Sequence, residues 1–347
     1  MKAIFFEQHG GIEVLKYADL EEPQAKIGEA LIKVRAVALN HLDIWVRRGW
    51  YGLRLDFPHI GGSDVVGEIV SINPDPRFST ADLGTGSRVI INPGIITIED
   101  EWTRRGEDSV SPGYKILGEQ LRGGMAEYLT VPIQNLFKAP EQLSDEEAAA
   151  PLLVATTCWR MLFQKANLKA GETVLIVGAG GGVNSLTISF AKAAGAKVYA
   201  LTSSPSKMKK ALNLGADSVI NYKENQSWHS EVLKLTKGRG VDLVVDNVGT
   251  ATFNKSIRAV RRGGRIVTVG NTSGFEITYD NRFLFTKQVS IIGSTMGSRQ
   301  DFVDALQFML QHDIKAVIDQ VVDLKDGIKA IAQLEKGEQF GKIVLRV

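Results

Sequence analysis

Short runs rich in valine and isoleucine recur through the first 140 residues and are typical of β-strands. Glycines such as Gly61, Gly62, Gly84 and Gly86 separate these runs. The runs cover Met1–Phe6, Glu29–Ala38, Ser63–Ile72 and Ser87–Asn92. They predict an irregular, mostly antiparallel β domain. Residues 95–117 are polar and carry Gly and Pro without a period, which predicts a long excursion rather than an element.

The pattern changes after Leu143. Ser144 and Glu147 have capping-box spacing, which predicts a helix start. Apolar runs then alternate with helical segments, which predicts a parallel sheet with helices on both faces. The runs are Thr173–Val177, Lys197–Leu201, Ser218–Ile220, Val241–Val245, Arg265–Val269 and Gln288–Gly293. Later helices are predicted at 300–311 and 325–335, with strands at 317–321 and 342–347. The fold class is α/β, with domains at 1–148 and 149–292 and a return of 293–347 to the first domain.

Length and charge narrow the class of protein. The 347 residues suggest about two domains. Lys and Arg total 41 and Asp and Glu total 39, a net charge of +2 that argues against a nucleic-acid partner. The single Cys158 excludes an intramolecular disulfide and a four-Cys zinc site, and its apolar surroundings predict a structural thiol. Charged residues appear by Glu7, too early for the apolar core of a signal peptide. Pro151 interrupts the longest apolar stretch, so no segment is expected to span a membrane. A soluble, cytoplasmic protein without a membrane partner is expected.

A glycine-rich turn follows the strand Thr173–Val177. It carries Gly178, Ala179, Gly180, Gly181, Gly182 and Val183 and leads into a helix predicted at 185–194. Such a turn lets backbone N–H groups approach a pyrophosphate at the positive end of a helix, which predicts dinucleotide binding. The alternative is a structural tight turn. Asn184 stands where the last glycine of the motif would lie, so a displaced helix or a direct polar contact is expected there.

The end of the next strand bears on the choice of cofactor. An NAD site usually places Asp or Glu there to hold the ribose 2′-hydroxyl. This chain instead has Ser203, Ser204 and Lys207, which can bind a 2′-phosphate. The sequence therefore favours NADPH. The alternative is that Ser204 and Pro205 only cap the next helix and that Lys207 is solvated.

Four segments resemble signature sequences of the medium-chain dehydrogenase/reductase superfamily. They are Ala38–Gly49, Pro58–Gly67, Gly123–Tyr128 and the Gly178–Asn184 turn. The resemblance is strongest to quinone oxidoreductases and zinc-type alcohol dehydrogenase-like members. It implies a Rossmann domain joined to a GroES-like catalytic domain. It also implies a homodimer or homotetramer, with dimers formed through the sheet edge near Val289–Ser294.

The chain departs from the zinc-dependent members at their ligand positions. Those members carry Cys at the position of Asn40, His and Glu at Ser63 and Asp64, and Cys or Asp near Leu153. Asn, Ser and Leu cannot form the tetrahedral site that Zn²⁺ prefers, so the resemblance implies a metal-free descendant. Their hydroxyl relay aligns with Leu42. A rebuilt metal site from His41, His59, Asp43 and Asp64 is the alternative, although both histidines have ordinary structural explanations.

A second, structural zinc lobe of the superfamily is likewise altered. Its four cysteines align with Thr97, Asp100, Thr103 and Ser111, at spacings of two, two and seven residues. The flanking Asn92-Pro93-Gly94 and Gly118-Glu119 are kept.

The resemblance also implies roles in the substrate pocket. Asn40 and Asp43 are implied catalytic residues, and Asn40 would hydrogen-bond there. Tyr51 would donate to a carbonyl, and Trp45 would stack on a flat ring. Asp43 can instead cap its helix or pair with Arg47 at i, i+4, and Trp45 can be a core aromatic.

Cofactor contacts are implied at Thr157 near the nicotinamide and at Tyr222 beside the 2′-phosphate. Tyr222 is alternatively an exposed aromatic at the end of a strand. Further contacts are implied at strand ends and in the return, at Asn247, Val269, Gly270, Ser294 and Lys342.

Without a Lewis acid, alcohol oxidation is difficult near neutral pH, whereas hydride addition to a quinone or an enone needs only hydrogen bonds and a proton from water. The prediction is an NADPH-dependent, zinc-independent reductase of quinones or α,β-unsaturated carbonyls. The alternatives are an alcohol dehydrogenase-like enzyme with an atypical metal or none, and a non-catalytic NADPH-binding protein.

Overall fold

The structure, a computed structural model, describes residues 1–77 and 82–347. The chain divides into two units. The first contains Met1–Leu153, Ser298–Phe302 and Ala316–Val347, and the second contains Val154–Gly297 and Val303–Lys315. The boundaries thus lie at 153/154 and 297/298, whereas the sequence predicted 148/149 and 292/293. Within the described residues, no helix has both the length and the apolar character needed to cross a membrane.

The first unit is built mainly on antiparallel strands. Its strands before Leu153 are β1 (Lys2–Phe6), β2 (Lys16–Asp19), β3 (Glu29–Ala38), β4 (His59–Ile60), β5 (Asp64–Asn73), β6 (Arg88–Ile91), β7 (Gly94–Ile96), β8 (Tyr114–Ile116), β9 (Tyr128–Pro132) and β10 (Leu136–Lys138). Its helices there are α1 (His41–Arg48), α2 (Glu101–Arg104) and α3 (Asp145–Ala149). In β3, Ile32 and Val34 are buried while Lys33 and Arg35 are exposed, because successive side chains of a strand point to opposite faces.

The predicted excursion at 95–117 contains regular structure, so that part of the prediction was wrong. Strands β7 and β8 pair with each other, and α2 lies between them. The elements are too short for a periodic signal. Side-chain capping by Asp100, which accepts hydrogen bonds from the amides of Trp102 and Thr103, defines the start of α2.

The second unit holds a parallel sheet, and the predicted Rossmann architecture is confirmed. Its elements are α4 (Leu152–Trp159), β11 (Thr173–Val177), α5 (Gly182–Ala193), β12 (Lys197–Thr202), α6 (Pro205–Asn213), β13 (Ser218–Asn221), α7 (Trp228–Leu235), β14 (Val241–Asp246), α8 (Phe253–Ala259), β15 (Val260–Thr268), α9 (Asn281–Lys287), β16 (Ser290–Gly293) and α10 (Arg299–Gln311). The strand order is β13-β12-β11-β14-β15-β16. The order reverses direction between β11 and β14, where doubly wound sheets bind ligands at the carboxyl ends of their strands.

Helix α10 belongs largely to this second unit, although the sequence assigned all of 293–347 to the first domain. Phe308 explains the difference. Its ring lies 5.5 Å from that of Trp159, 5.6 Å from Phe163 and 5.3 Å from Phe190, so α10 completes an aromatic cluster of the second unit.

The chain then returns to the first unit through β17 (Ile318–Asp323), α11 (Gly327–Lys336) and β18 (Lys342–Arg346). The order of the main sheet there is β10-β6-β5-β3-β18-β17, with β9 also pairing with β3. Strand β18 is antiparallel to β3, with Val344 opposite Ala38. Continuing this register by two residues brings Lys342 opposite Asn40. Strand β5 pairs with the same end of β3, with Asp64 opposite Ala38.

Candidate active site and cofactor-binding turn

Three polar side chains meet in the apolar interior of the first unit, where β3, β5 and β18 come together. The Lys342 ammonium donates to the Asp64 carboxylate at 2.8 Å and to Asn40 Oδ1 at 2.5 Å. Asn40 Nδ2 donates to the same Asp64 oxygen at 2.9 Å. Lys342, Asp64 and Asn40 therefore form a closed ring of hydrogen bonds, called here the polar ring.

The polar ring is buried, so water screens the attraction between its charged groups only weakly. Asp64 is 0% exposed, Lys342 2% and Asn40 7%. The other Asp64 oxygen accepts the Leu153 amide at 2.6 Å. A buried carboxylate is stable as an anion only when a cation and hydrogen bonds compensate it, and Lys342 supplies that cation.

Asp43 stands beside the polar ring and is held by the backbone. Its carboxylate accepts the amide of Asn40 at 2.7 Å and the amide of Gly62 at 2.9 Å. Burial raises the pKa of the Asp43 carboxyl to about 6, although these amides and Lys342 act to lower it. Asp43 therefore caps α1 and fixes the approach of β5. It does not pair with Arg47, whose guanidinium binds Glu335 at 2.9 Å.

The glycine turn in the second unit has the shape that a pyrophosphate needs. Gly178 adopts φ +78°, a conformation that side chains rarely tolerate, and α5 begins at Gly182 with Gly181 as its N-cap. A Cβ at Gly181 would meet nothing within 4 Å. Backbone N–H groups at the start of a 12-residue helix thus border open space. These residues fit a dinucleotide phosphate.

Asn184 makes a direct polar contact, as one of the two expected outcomes. Its amide nitrogen donates to the carbonyl oxygens of Val177 and Gly178 at 2.7 and 3.1 Å. Its oxygen accepts from Asn247 Nδ2 at 2.7 Å, and Asn247 Oδ1 accepts the amide of Val269 at 2.8 Å. This chain of hydrogen bonds joins β11, β14 and β15 at their carboxyl ends. It occupies both ends of the Asn247 side chain.

The residues that were predicted to contact the adenosine end of the cofactor follow strands β12 and β13. Ser204 is the N-cap of α6 and its hydroxyl accepts the Lys207 amide at 3.3 Å, so the capping alternative is realised for this side chain. Ser203 and Lys207 are partly buried, and Tyr222, which follows β13, is exposed. Their contacts with a 2′-phosphate stay predictions.

The remaining predicted cofactor residues are scattered through the second unit and the return. The buried Thr157 has its hydroxyl 3.9 Å from Met296 Sδ, and Gly270 follows β15. Ser294 follows β16, and Thr202 ends β12. Both of these hydroxyls are buried without a hydrogen-bond partner among the described residues. Thr202 had not been predicted, because a strand-ending threonine gives no distinctive signal.

Comparison with known proteins places these features in a family. The sequence model of the family "Alcohol dehydrogenase GroES-like domain" matches residues 26–141. The sequence model of the family "Zinc-binding dehydrogenase" matches residues 182–311. An NAD-dependent alcohol dehydrogenase of Sulfolobus acidocaldarius is 32% identical, with all of both chains covered. The acryloyl-coenzyme A reductase of Metallosphaera sedula is 32% identical over 99% of both chains. The crystal structure of an NAD-dependent alcohol dehydrogenase is 39% identical over all of both chains, with a TM-score of 0.94.

The chain belongs to the medium-chain dehydrogenase/reductase family. The predicted family and the predicted two-domain architecture are both confirmed, and the protein is an oxidoreductase related to zinc-type alcohol dehydrogenase-like proteins.

The residues of this family member do not fit the zinc ion that the family implies. At the aligned ligand positions, the Asn40 amide is engaged at both ends, Ser63 offers a hydroxyl, and Leu153 offers no side-chain donor. Asp64 is the only carboxylate among them, and the Lys342 ammonium already lies 2.8 Å from it. A dication next to that ammonium would be strongly repelled in a buried site.

The alternative metal set does not come together in this dehydrogenase/reductase either. In residues 1–77 and 82–347, no group of three or more His, Cys, Asp and Glu side chains is arranged to hold a metal. His59 packs on Phe6 with ring centroids 5.4 Å apart, and burial lowers its pKa to about 4. His41 packs edge-on against the partly exposed Trp45 at 4.9 Å, and Tyr51 is fully exposed. The substrate roles of Trp45 and Tyr51 stay predictions.

Glu119 gives the family member a testable pH dependence. Burial raises the pKa of the Glu119 carboxyl from 4.5 to about 7. The native state then holds this proton more tightly than the unfolded state does. The protonated Glu119 carboxyl therefore stabilises the fold fully below about pH 4.5, and this stabilisation is lost as the pH rises through 7. We expect Glu119→Gln to become more stable relative to wild type between pH 4.5 and 8, by about 3 kcal/mol in the free energy of unfolding.

Urea unfolding of both proteins at several pH values measures this difference. The comparison with wild type is needed because His59, whose lowered pKa acts with the opposite sign, changes stability across part of the same range. A difference between the two proteins that does not change with pH would show that Glu119 titrates normally.

Proposed function

We propose that this protein is an NADPH-dependent, metal-independent reductase that transfers hydride to an α,β-unsaturated carbonyl or a quinone. The observation that carries the proposal is the polar ring. At the aligned zinc-ligand positions, the positive charge belongs to the Lys342 ammonium, held 2.8 Å from Asp64. A site organised in this way has hydrogen-bond donors to offer a carbonyl oxygen, but no open coordination position.

The chemistry of the chain suits reduction better than alcohol oxidation. A bound nicotinamide supplies or accepts hydride, and the turn at Gly178–Val183 would hold its pyrophosphate. When hydride reaches the β-carbon of an enone, negative charge moves to the carbonyl oxygen, which Asn40 can stabilise by a hydrogen bond. Water then supplies the proton. Alcohol oxidation would need a base or Lewis acid on the hydroxyl, and Asp43 and Asp64 are already engaged by amides and Lys342.

The relatives support the class of acceptor. The acryloyl-coenzyme A reductase is 32% identical over nearly its whole length, and its name describes reduction of an activated double bond. An enoyl thioester is therefore placed beside simple enones and quinones among the acceptors to be tested. The equally similar alcohol dehydrogenase of Sulfolobus acidocaldarius favours the second candidate, alcohol oxidation with NAD.

One experiment separates these candidates. Purified protein is assayed by nicotinamide absorbance, with NADPH and with NADH, on benzoquinone, cyclohexenone and crotonyl-coenzyme A, and in reverse with NADP or NAD on ethanol and a longer alcohol. Metal content is measured on the same sample, and the assay is repeated after chelation. We expect turnover with at least one unsaturated acceptor and no loss after chelation. Alcohol oxidation that disappears on chelation would overturn the proposal, and cofactor binding without any turnover would favour the non-catalytic alternative.

The preference for NADPH rests on Lys207. We expect Lys207→Glu to weaken NADPH binding by at least tenfold and to leave NADH binding within about twofold, because a carboxylate repels the 2′-phosphate. Lys209→Glu is the matched control, since it makes the same charge change on the exposed side of α6. Fluorescence titration of each variant with both cofactors measures the effect. Equal losses in the two variants, or an unchanged NADPH affinity in Lys207→Glu, would contradict this assignment.

We further propose that the enzyme forms a homodimer or a homotetramer through β16. This strand ends the parallel sheet, and Ile291 on it is exposed. An unpaired sheet edge with exposed apolar side chains is suited to pairing with a second copy. Light scattering of wild type and of Ile291→Lys tests this, and a monomeric wild type would refute it.

A further inference from the structure

We propose that Lys342 acts through Asn40. In this proposal, which rests on the proposed function, the Lys342 ammonium polarises the Asn40 amide. The free Asn40 amide hydrogen then donates to the substrate oxygen on which negative charge develops. Asn40 is the catalytic residue and Lys342 the positioning residue. The positive charge that a metal would apply directly to the oxygen is thus transmitted through one amide group.

The polar ring fixes the orientation of the Asn40 amide. Its oxygen lies 2.5 Å from the Lys342 ammonium and its nitrogen 2.9 Å from the Asp64 carboxylate. An ammonium only donates and a carboxylate only accepts, so the flipped amide would face two repulsive contacts. A buried, closed ring therefore selects one rotamer of Asn40.

The hydrogen count leaves one donor available. The Asn40 nitrogen carries two hydrogens, and one is used on Asp64. Within residues 1–77 and 82–347, the other is given only the Ala38 carbonyl as an acceptor, at 3.5 Å, which is the outer limit of a hydrogen bond. Asn40 is also the most exposed member of the ring, at 7% against 2% for Lys342 and 0% for Asp64. Of the three residues, Asn40 is therefore the one that we assign to contact with the substrate.

Electrostatics explain why the arrangement would help catalysis. An amide whose oxygen accepts from an ammonium has electron density drawn away from its nitrogen, so its remaining N–H becomes a stronger donor. Preorganised donors act most strongly in sites that exclude water, and removing one typically costs about 10²–10³ in kcat. In the reaction, the C=C bond accepts hydride at its β-carbon, the enolate oxygen accepts the Asn40 hydrogen bond, and water protonates the α-carbon. Lys342 and Asn40 keep their own protons throughout.

The test compares Lys342→Met with Lys342→Arg. We expect Lys342→Met to lower kcat with the best unsaturated acceptor by about 100-fold, with KM and the NADPH dissociation constant each within about threefold. Lys342→Arg keeps the positive charge and should recover at least tenfold of the loss. Arg346→Met is the matched control, because it removes an exposed cation of the same strand, paired with Glu146, and should leave kcat unchanged.

Further variants separate this role from a structural one. Lys342→Met leaves Asp64 buried without a cation, which destabilises a fold. The double variant Asp64→Asn/Lys342→Met removes both charges, and it should fold while keeping the low kcat. Asn40→Ala should lose a similar factor, and adding Lys342→Met to it should cost little more, since both act through one hydrogen bond. Without substrate, the Asn40 side-chain amide resonance, identified by its absence in Asn40→Ala, should move in Lys342→Met and return toward its wild-type position in Lys342→Arg.

Several results would overturn the inference. One is a normal kcat in Asp64→Asn/Lys342→Met. Another is additive losses from Asn40→Ala and Lys342→Met. A third is a large rise in the NADPH dissociation constant at unchanged kcat, which would return Lys342 to the cofactor contact that the sequence predicts. Absence of turnover in wild type would instead refute the proposed function, so the two failures are distinguishable.

Discussion

A variant with cysteine in place of Thr97, Asp100, Thr103 and Ser111 is expected to bind one zinc ion per chain, with a dissociation constant on the order of nanomolar or tighter. The wild-type lobe offers no thiolate. Zinc content after dialysis, and the thiolate-to-metal absorption of the cobalt form, measure the gain. The expected gain in affinity is large because structural zinc sites bind with about 10–16 kcal/mol.

Zinc binding is expected because hydrogen bonds already connect these four positions of the lobe. Ser111 Oγ donates to Asp100 Oδ2 at 2.7 Å, and the amide of Thr103 donates to Asp100 Oδ1 at 3.0 Å. Thr97 Oγ1 donates to the Gly113 carbonyl at 2.7 Å, and the Gly113 amide donates to Ser111 Oγ at 3.0 Å. Thr103 and Ser111 thus bond to Asp100 directly, and Thr97 is linked to it through Gly113 and Ser111. We therefore expect four cysteines at these positions to lie close enough together to share one metal ion.

A control variant places the fourth cysteine at Ser109 and keeps Ser111. Ser109 is in the same turn but outside this set of hydrogen bonds, so this variant should bind zinc much more weakly. Equal metal content in the two variants would show that the lobe does not preserve the tetrahedral arrangement.

The second large effect is expected at Asp246 in the Rossmann unit. Its fully buried carboxylate accepts the amides of Val248 and Gly249 at 3.0 and 3.2 Å. It also accepts the hydroxyls of Thr252 at 2.8 Å and Ser256 at 2.6 Å. Asp246→Ala leaves all four donors without this partner, and we expect the free energy of unfolding to fall by about 4–5 kcal/mol.

Asp246→Asn is the matched control, since its oxygen still accepts and the Ser256 hydroxyl can reverse to accept from the new amide. A loss of about 1–2 kcal/mol is expected there. Urea unfolding followed by circular dichroism measures both. If the two substitutions cost the same, the four donors must find other partners, and Asp246 would not organise the β14–α8 turn.

Much of the fold could be predicted because strand patterns are local. Strands β3 and β11 occupy the residues that the sequence predicted, and Ser144 caps α3 with Glu147 as its spacing indicated. The start of β15 could not be predicted. It begins at Val260, which pairs with Val241 before an irregularity in register, and such a break depends on the neighbouring strand.

The candidate site was predictable in part, for a related physical reason. Asn40 and Lys342 were both named from the sequence, but with separate roles. Their contact and the pairing of Lys342 with Asp64, 278 residues away along the chain, depend on β18 lying beside β3. Strand order in a mixed sheet is not encoded in the periodicity of any one strand. A buried acid in a valine-rich strand was the available signal, because such an acid requires a cation from elsewhere in the fold.

The position of β18 also bears on biosynthesis. The parallel sheet of the second unit lies within residues 173–293, so a nascent chain can complete it before β18 has left the ribosome. Strand β3 cannot pair with β18 so early, because the two strands are some 300 residues apart in the chain, with Ala38 opposite Val344. Asp64 and Asn40 therefore lack their ammonium partner until Lys342 has been synthesised, and the polar ring closes only after β18 has joined β3.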